Sequence, residues 1–194
     1  MKKGEQPTIF VLGAGAVGLP LAVFLQRAGR KVVAVRTSTV ELDETVGLLS
    51  TEHLPFHAEE GIEPAVWKKV VVNAVFNSLC PLLEVDNGIF AREAGVAAMA
   101  REIVRECLSV TDRLGLELTE DGLMAQIGQI SRSSDGQLIS ILQDLRRGLA
   151  TEIEYLNLAI ARKGSSLSPP VSLPRTELLG RMVLAKSAER TGKG

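Results

Sequence analysis

The sequence predicts an α/β unit followed by an all-α domain, and three patterns carry this prediction. Two short runs rich in β-branched and apolar residues, 8–12 (TIFVL) and 31–35 (KVVAV), are typical of buried strands. Between them lie a glycine-rich turn and a helical segment at 19–28 that stops at Gly29. From Trp67 onward, apolar residues recur at steps of three and four, which indicates amphipathic helices. We therefore predict two domains, residues 1–66 and 67–190.

The glycine turn at 13–18 (GAGAVG) matches the pattern G-x-G-x-x-G, with a predicted strand before it and a predicted helix after it. The first glycine allows a tight turn, the second lets the backbone approach a pyrophosphate, and the third lets helix and strand pack closely. The helix N-terminus adds amide donors and the positive end of a dipole. The turn therefore predicts a Rossmann-type dinucleotide-binding unit, whose cofactor-binding residues are Gly13, Ala14, Gly15, Ala16, Val17 and Gly18. The alternative is a tight turn that binds nothing.

The end of the second strand bears on the identity of the cofactor. An NAD site places Asp or Glu there to hold the ribose 2′-hydroxyl, but this chain has Arg36 followed by Thr37 and Ser38. A guanidinium and two hydroxyls suit the 2′-phosphate of NADP, so we predict NADP(H). The alternative is a solvated charge at the strand end. Residues 39–50 are compatible with an amphipathic helix and 54–57 with a short third strand.

Composition excludes several other classes of protein. Hydrophobic residues make up 45 % of the 194 residues and charged residues 23 %, which favours a packed core over disorder. Lys plus Arg is 22 and Asp plus Glu is 23, so no basic surface indicates nucleic-acid binding. Cys80 and Cys107 lack C-x-x-C spacing and fit a reducing compartment. With His53 and His57 as the only histidines, no Cys/His metal cluster is predicted.

The N-terminus imitates a targeting segment. Lys2 and Lys3 precede an uncharged run at 7–26, as in a signal peptide or a short membrane span. Glycines interrupt this run at fingerprint spacing, and no small-x-small cleavage site follows it. We therefore predict a cytoplasmic protein without membrane association.

The second domain is predicted as a series of helices. An apolar stripe formed by positions 96, 100, 103, 107, 110 and 114 predicts one helix that ends near Gly115. Thr119 is expected to cap the next helix, which buries Leu123, Ile127 and Ile130. The remaining predictions are a polar loop at 131–136, a helix from near Gln137, a loop at 164–170, a helix at 176–187 and a frayed tail at 188–194.

Polar residues interrupt an apolar helix in the segment 67–88 (WKKVVVNAVFNSLCPLLEVDNG). Lys69, Asn73 and Asn77 are four residues apart, so a helix places all three on one face. Such a stripe needs partners or a polar cavity, because unsatisfied buried amides and ammonium groups are costly. The alternatives are a buried structural network, and a strand that would split the three residues between two faces.

A second helical pattern with polar residues occupies 140–157 (SILQDLRRGLATEIEYLN). Ser140, Asp144 and Glu152 are expected near one side of it. Apolar residues are available for packing at 142, 145, 149, 153 and 156. By itself this pattern indicates polar groups on a helix surface.

Together these motifs resemble the ketopantoate reductase (2-dehydropantoate 2-reductase) family. The resemblance rests on the N-terminal GxGxxG, on W-x-K-x-x-x-N-x-x-x-N at 67–77, and on S-x-x-x-D at 140–144 followed by T-E-I-E at 151–154. It covers about 8–36 and 44–186. It implies a Rossmann-type domain and a helical C-terminal domain of the 6-phosphogluconate dehydrogenase-like type, with the active site between them. The implied reaction is NADPH-dependent reduction of the C2 ketone of ketopantoate to pantoate, a step of pantothenate synthesis.

The resemblance also implies roles for individual residues. Lys69 matches the general acid, since a protonated lysine can donate to a developing alkoxide and stabilise its charge. Asn73, Asn77 and Asn87 would hydrogen-bond the substrate or orient the lysine. Ser140 would hold the substrate carboxylate, and Glu152 would bind its hydroxyl or steer the lysine. The predicted partner is thus a small 2-oxo acid.

The resemblance to the family is incomplete in the first domain. Only 66 residues precede Trp67, and the middle strands of the family's nucleotide domain, with an asparagine near the nicotinamide, have no counterpart. Gln137 stands where the family favours asparagine, Leu158 where it favours glycine, and Arg36 comes one residue early. Missing strands would expose sheet edges, which predicts a homodimer or another partner. Three hypotheses stay open: a shortened enzyme, a non-catalytic dimerisation or ligand-binding remnant, and a reductase for another small 2-oxo acid.

Overall fold

The computed structural model describes residues 8–12, 31–35 and 63–192, and the chain divides into two compact units, 1–60 and 61–194. The predicted glycine turn at 13–18, the helix at 19–28 and Arg36 lie outside the described residues. The same holds for the elements predicted at 39–50 and 54–57.

The described part of the first unit is a pair of parallel strands. β1 is Thr8–Leu12 and β2 is Lys31–Val35, paired in register from Thr8 opposite Lys31 to Leu12 opposite Val35. Both strands coincide with the predicted apolar runs. A parallel pair cannot be joined by a hairpin, in keeping with the order strand, helix, strand that the sequence predicts.

The described part of the second unit is helical. Its helices are α1 (Glu63–Leu83), α2 (Ile89–Arg92), α3 (Ala94–Arg113), α4 (Glu120–Ser133), α5 (Ser140–Arg146), α6 (Asn157–Ser165) and α7 (Pro174–Thr191), with a 3₁₀ turn at Ile153–Tyr155 before α6. None of these described helices has both the length and the apolar character needed to cross a membrane.

The central element of this unit is α1, which contacts α3, α4, α5 and α7. Its middle turns carry apolar residues in close succession, so it is buried on several sides, as Val71, Val75 and Phe76 show. The ring of Phe76 lies 4.5 Å from that of Phe90 on α2. A smaller cluster formed by Ile141, Leu145, Ile153 and Val183 joins α5, the 3₁₀ turn and α7.

The C-terminal end of α3 and the start of α4 follow the sequence prediction. The predicted stripe of α3 is buried at Ala100, Ile103, Cys107 and Val110. The chain then turns at Gly115, where φ is +71°, a conformation that glycine adopts readily. The Thr119 hydroxyl accepts a 3.2 Å hydrogen bond from the amide of Gly122, so the predicted N-cap of α4 is confirmed.

A side chain from another helix caps α7. The carboxylate of Glu106, on α3, accepts hydrogen bonds from the Thr176 amide (2.8 Å), the Thr176 hydroxyl (2.8 Å) and the Arg175 amide (3.0 Å). These amides belong to the first turn of α7, whose N–H groups have no partner within the helix. A negative charge at this end is also favoured by the helix dipole.

Several predicted boundaries were wrong. The helix expected from near Gln137 begins at Ser140, and Ser131 still belongs to α4. The loop expected at 164–170 begins later, because Gly164 is the buried eighth residue of α6. The tail expected to fray at 188 is helical through Thr191.

Proline interrupts the backbone hydrogen bonding of α1 near its C-terminus. Pro81 lies inside the helix, and the Lys186 ammonium on α7 donates a 2.8 Å hydrogen bond to its carbonyl. Lys186 and Arg190 also form ion pairs of 2.8 and 2.7 Å with Glu84, directly after α1. The hydrogen bond from Lys186 is the main cause of a lowered Glu84 pKa. These contacts hold α7 against the end of α1.

Candidate active site

The polar stripe predicted on one helix is present on α1. Lys69, Asn73 and Asn77 lie within this continuous helix, and their spacing of four places them on one face, so the strand alternative was wrong. Exposure falls along the stripe. Lys69 is exposed, Asn73 is half-buried and Asn77 is only 4 % exposed. The stripe therefore leads from the surface into the helical core.

The buried end of this stripe carries an unpaired acceptor. The side-chain oxygen of Asn77, Oδ1, is buried and has no hydrogen-bond partner among the described residues. The alternative, a buried structural network in which the polar groups bond one another, is therefore not observed at Asn77 Oδ1. A buried acceptor without a donor costs about 1–3 kcal/mol, so this atom is suited to a donor supplied by a ligand or by water.

Asn87 lies in the segment that follows α1 and shows the same pattern. It is 7 % exposed, and its Oδ1 is buried without a partner in the part of the chain that the structure describes. Its main chain is fully bonded. The Asn87 amide donates to the Gln137 carbonyl at 2.8 Å, and the Asn87 carbonyl accepts from the Ser131 hydroxyl at 2.8 Å. The loop is thus fixed by its backbone, which leaves the side-chain oxygen available.

Ser140 and Glu152 do not share one helix, and here the prediction was wrong. Ser140 is the first residue of α5, but α5 ends at Arg146. Gly148 has a φ of +68°, and Glu152 directly precedes the 3₁₀ turn. Both Ser140 and Glu152 are exposed, while Asp144 is half-buried.

The same break changes the packing of this segment. Leu149, predicted to pack with its neighbours, is 51 % exposed because it follows the turn. Leu142, Leu145 and Ile153 are buried as predicted. α5 contacts α1, and the cluster that contains Ile141 and Leu145 of α5 packs against Leu82, near the C-terminal end of α1 and thirteen residues after Lys69.

An open concavity of about 520 Å³ lies beside α5 and the loop before it. It is lined by Gln137, Leu138, Gln143, Arg146 and Arg147. The Gln143 side-chain amide donates to the Leu138 carbonyl at 2.7 Å and so fixes one wall. Of its lining residues, Gln137 is the one joined to the candidate site, through its bond from Asn87.

The sequence did not identify Asp86, which joins the segment after α1 to the loop between α4 and α5. Asp86 Oδ1 accepts hydrogen bonds from the amides of Gly88 (2.7 Å) and Gly136 (3.2 Å). Arg92 donates to both carboxylate oxygens at 3.0 and 2.8 Å, and this bond is the main cause of an Asp86 pKa lowered to about 2. The letters D-N-G at 86–88 are a turn signal, but a single sequence does not show that Gly136 is a partner.

Within the described residues, no group of three or more His, Cys, Asp or Glu side chains is placed to hold a metal ion. The two cysteines are buried and unpaired. Burial is the main cause that raises the pKa of each thiol to about 12. Neither cysteine is therefore suited to act as a nucleophile.

Proteins that resemble this chain include reductases and a dehydrogenase. One is a 2-dehydropantoate 2-reductase of Streptococcus pyogenes serotype M3, 31 % identical over 147 residues, which are 75 % of this chain and 47 % of the relative. A solved complex of D-mandelate dehydrogenase with NADH is 28 % identical, has a TM-score of 0.65, and is matched over 70 % of this chain and 52 % of that one. A dimeric ketopantoate reductase from Staphylococcus aureus, 15 % identical, shares the fold with a TM-score of 0.66, over 95 % of this chain and 100 % of that one.

The family model described as "Ketopantoate reductase PanE/ApbA C terminal" matches residues 61–187, and the chain belongs to the ketopantoate reductase family. The resemblance stated from the sequence motifs is thereby confirmed. The chain spans about half the length of the curated relatives it matches.

Proposed function

We propose that this chain reduces the C2 ketone of ketopantoate to pantoate with NADPH. The observation that carries the proposal is the stripe on α1. An exposed ammonium, Lys69, and a buried unpaired amide oxygen, Asn77 Oδ1, lie two turns apart on one helix face. A cationic donor at one end and a free acceptor at the other suit a hydroxylated 2-oxo acid, whose ketone needs a proton and whose hydroxyl needs an acceptor.

In this proposal each residue acts through its own chemistry. Lys69 donates a proton to the C2 oxygen as the alkoxide develops, and its charge stabilises that oxygen beforehand. The substrate has a single hydroxyl, and Asn77 Oδ1 accepts a hydrogen bond from it. Asn73 and Asn87 donate their side-chain N–H groups to substrate oxygens or orient the lysine. Ser140 donates its hydroxyl to the substrate carboxylate. Glu152 steers Lys69, or binds the substrate hydroxyl in place of Asn77.

The cofactor would supply a hydride to C2 when bound. We assign its phosphates to Gly13, Ala14, Gly15, Ala16, Val17 and Gly18, and its 2′-phosphate to Arg36, within a truncated Rossmann-type domain at 1–66 that precedes the helical domain at 67–190. The parallel pairing of β1 and β2 supports this assignment, because Gly13 and Arg36 directly follow the paired residues Leu12 and Val35. In such a sheet, ligands bind beyond the carboxyl ends of the strands.

The test compares two neighbouring lysines of the same helix. Lys69→Ala should lower ketopantoate-dependent NADPH oxidation, followed at 340 nm, by about 10²–10⁴-fold, the usual contribution of a general acid. Lys68→Ala is the matched control, because Lys68 is also exposed on α1 but lies off the stripe. Equal rates for the two variants would refute the role of Lys69. The same assay with NADH in place of NADPH tests the assignment of NADPH as the cofactor.

The family match favours a second candidate. Because the matched residues, 61–187, all lie in the helical unit, that unit would serve as a non-catalytic helical module for dimerisation or acid binding. Absence of turnover together with no nucleotide binding at millimolar NADPH would favour this module over the enzyme. In either case we propose a homodimer, on the strength of the dimeric S. aureus structure with the same fold.

A further inference from the structure

We propose that Asp86 is a positioning residue, which clasps together the two loops that present Asn87 and Ser140. The proposal rests on the proposed function, since it concerns the same acid-binding residues. The clasp consists of Asp86, Arg92 and Asp135 together with the amides of Gly88 and Gly136. It joins the segment after α1 to the loop between α4 and α5.

The hydrogen bonds of the Asp86 carboxylate show how the clasp is built. Its bond to the Gly88 amide, two residues ahead, is the local turn that aspartate commonly forms. Its bond to Gly136 is not local, because that amide lies 50 residues further along the chain. An aspartate that served only the local turn would have no need of this second donor. Oδ1 therefore links two separate loops.

Arg92 closes the clasp from the other side. Its guanidinium donates to both oxygens of Asp86 and also to Asp135, the residue before Gly136. One cation thus bridges a carboxylate on each loop. Gly88 leaves room for this arrangement, since a Cβ there would collide with the Asp135 carboxylate and the Arg92 guanidinium.

What the clasp holds is the main chain of the two loops. Asn87 follows Asp86 and bonds Gln137 through its amide, and Gln137 follows Gly136. Ser140, the first residue of α5, comes three residues later. The clasp therefore fixes the two loops relative to each other and leaves Oδ1 of the Asn87 side chain, which is proposed to bind the acid, without a partner among the described residues.

The Asp86 carboxylate stays ionised above about pH 4. The Arg92 hydrogen bond holds the Asp86 pKa at about 2, below its usual 3.8. A carboxylate with a lowered pKa keeps its contribution above the unfolded value and loses it as the pH falls through the folded value. The clasp should therefore stay intact above about pH 4 and loosen between 3.8 and about 2.

The experiment uses Asp86→Ala and Asp86→Asn, with Glu120→Ala as matched control. Like Asp86, Glu120 is a carboxylate that forms ion pairs across elements, but its partners are Arg101 and Arg105, so it joins α4 to α3. Asp86→Ala should raise the ketopantoate KM, or the Kd where no turnover occurs, about tenfold, with kcat within about threefold. The KM or Kd of Asp86→Asn should lie between those of the wild type and Asp86→Ala, because its amide oxygen still accepts from the two glycine amides. The differences in KM or Kd between the variants and the wild type should not depend on pH above about 4.

Amide hydrogen exchange gives a second readout that needs no ligand. In Asp86→Ala the amides of Gly136 and Asn87 should exchange faster, while those of α3 keep their wild-type rates. Unchanged exchange would overturn the clasp. Faster exchange with wild-type affinity for ketopantoate would show a purely structural role and would also overturn the proposal. If the wild-type chain binds no acid, the proposed function fails. Faster exchange would then still support the clasp, and unchanged exchange would refute it.

Discussion

Removal of the Glu106 carboxylate should destabilise the helical unit more than removal of any neighbouring surface acid. Glu106 is 9 % exposed and caps α7 across a separation of about 70 residues in the chain. Glu106→Ala deletes the acceptor for the Thr176 amide, the Thr176 hydroxyl and the Arg175 amide at once. The contact between α3 and α7 is then left with unpaired donors.

The magnitude follows from burial. Thr176 is 0 % exposed, so its two donors cannot turn to water, and each costs about 1–3 kcal/mol. Arg175 is exposed, so its groups return to solvent at little cost. With a dipole contribution of about 0.3–1 kcal/mol, the expected loss is about 2–7 kcal/mol. Glu106→Gln keeps one acceptor oxygen and should lose about 1–2 kcal/mol.

The assay is urea unfolding followed by circular dichroism at 222 nm, which measures the free energy of unfolding. Glu102→Ala is the matched control. It lies one turn earlier on α3 and pairs with Arg105 and Arg175, but its side chain is 41 % exposed. An exposed ion pair contributes about 0–1 kcal/mol. Losses within about 0.5 kcal/mol of each other for the two alanine variants would refute the capping argument.

Two further predictions concern glycine packing and thiol reactivity. Gly164→Ala should lower the melting temperature by several degrees, because its Cβ would lie 2.7 Å from the Val171 carbonyl oxygen, which is backbone and cannot easily move. At Gly95 no atom lies within 4 Å of the added Cβ, so Gly95→Ala should leave the melting temperature unchanged or slightly raise it. Equal changes in melting temperature for the two variants would contradict the packing argument. Cys80 and Cys107 should resist a thiol reagent at pH 8 in the native protein, since burial raises each thiol pKa to about 12. Fast native labelling, at the rate seen in guanidinium, would contradict their burial.

The sequence predicts the helices of the second unit because their apolar periodicity is strong. The stripe of α3, the Thr119 cap and the helical spacing of Lys69, Asn73 and Asn77 all depend on residues within a few turns of one another. Such short-range patterns are found again in the folded protein because neighbouring helices bury the apolar faces that the periodicity predicts.

What the sequence does not predict are contacts between residues far apart in the chain. The break after Arg146 was missed because apolar residues continue at helical spacing through 156, although Gly148 turns the chain. The bond from Gly136 to Asp86 and the cap of α7 by Glu106 join segments 50 and about 70 residues apart. No periodicity records which distant loop supplies a partner, so these arrangements appear only in three dimensions.

The proline inside α1 has a consequence for the asparagine one turn before it. Proline has no N–H, so Pro81 cannot donate to the carbonyl four residues earlier, which belongs to Asn77. The main-chain oxygen of Asn77 therefore lacks its regular helical donor, and its side-chain oxygen has no hydrogen-bond partner among the described residues. Two acceptors on one buried residue concentrate negative partial charge at the inner end of the stripe. The inner end of the stripe therefore offers acceptors, while its outer end, two turns away, carries the side-chain donor of Lys69.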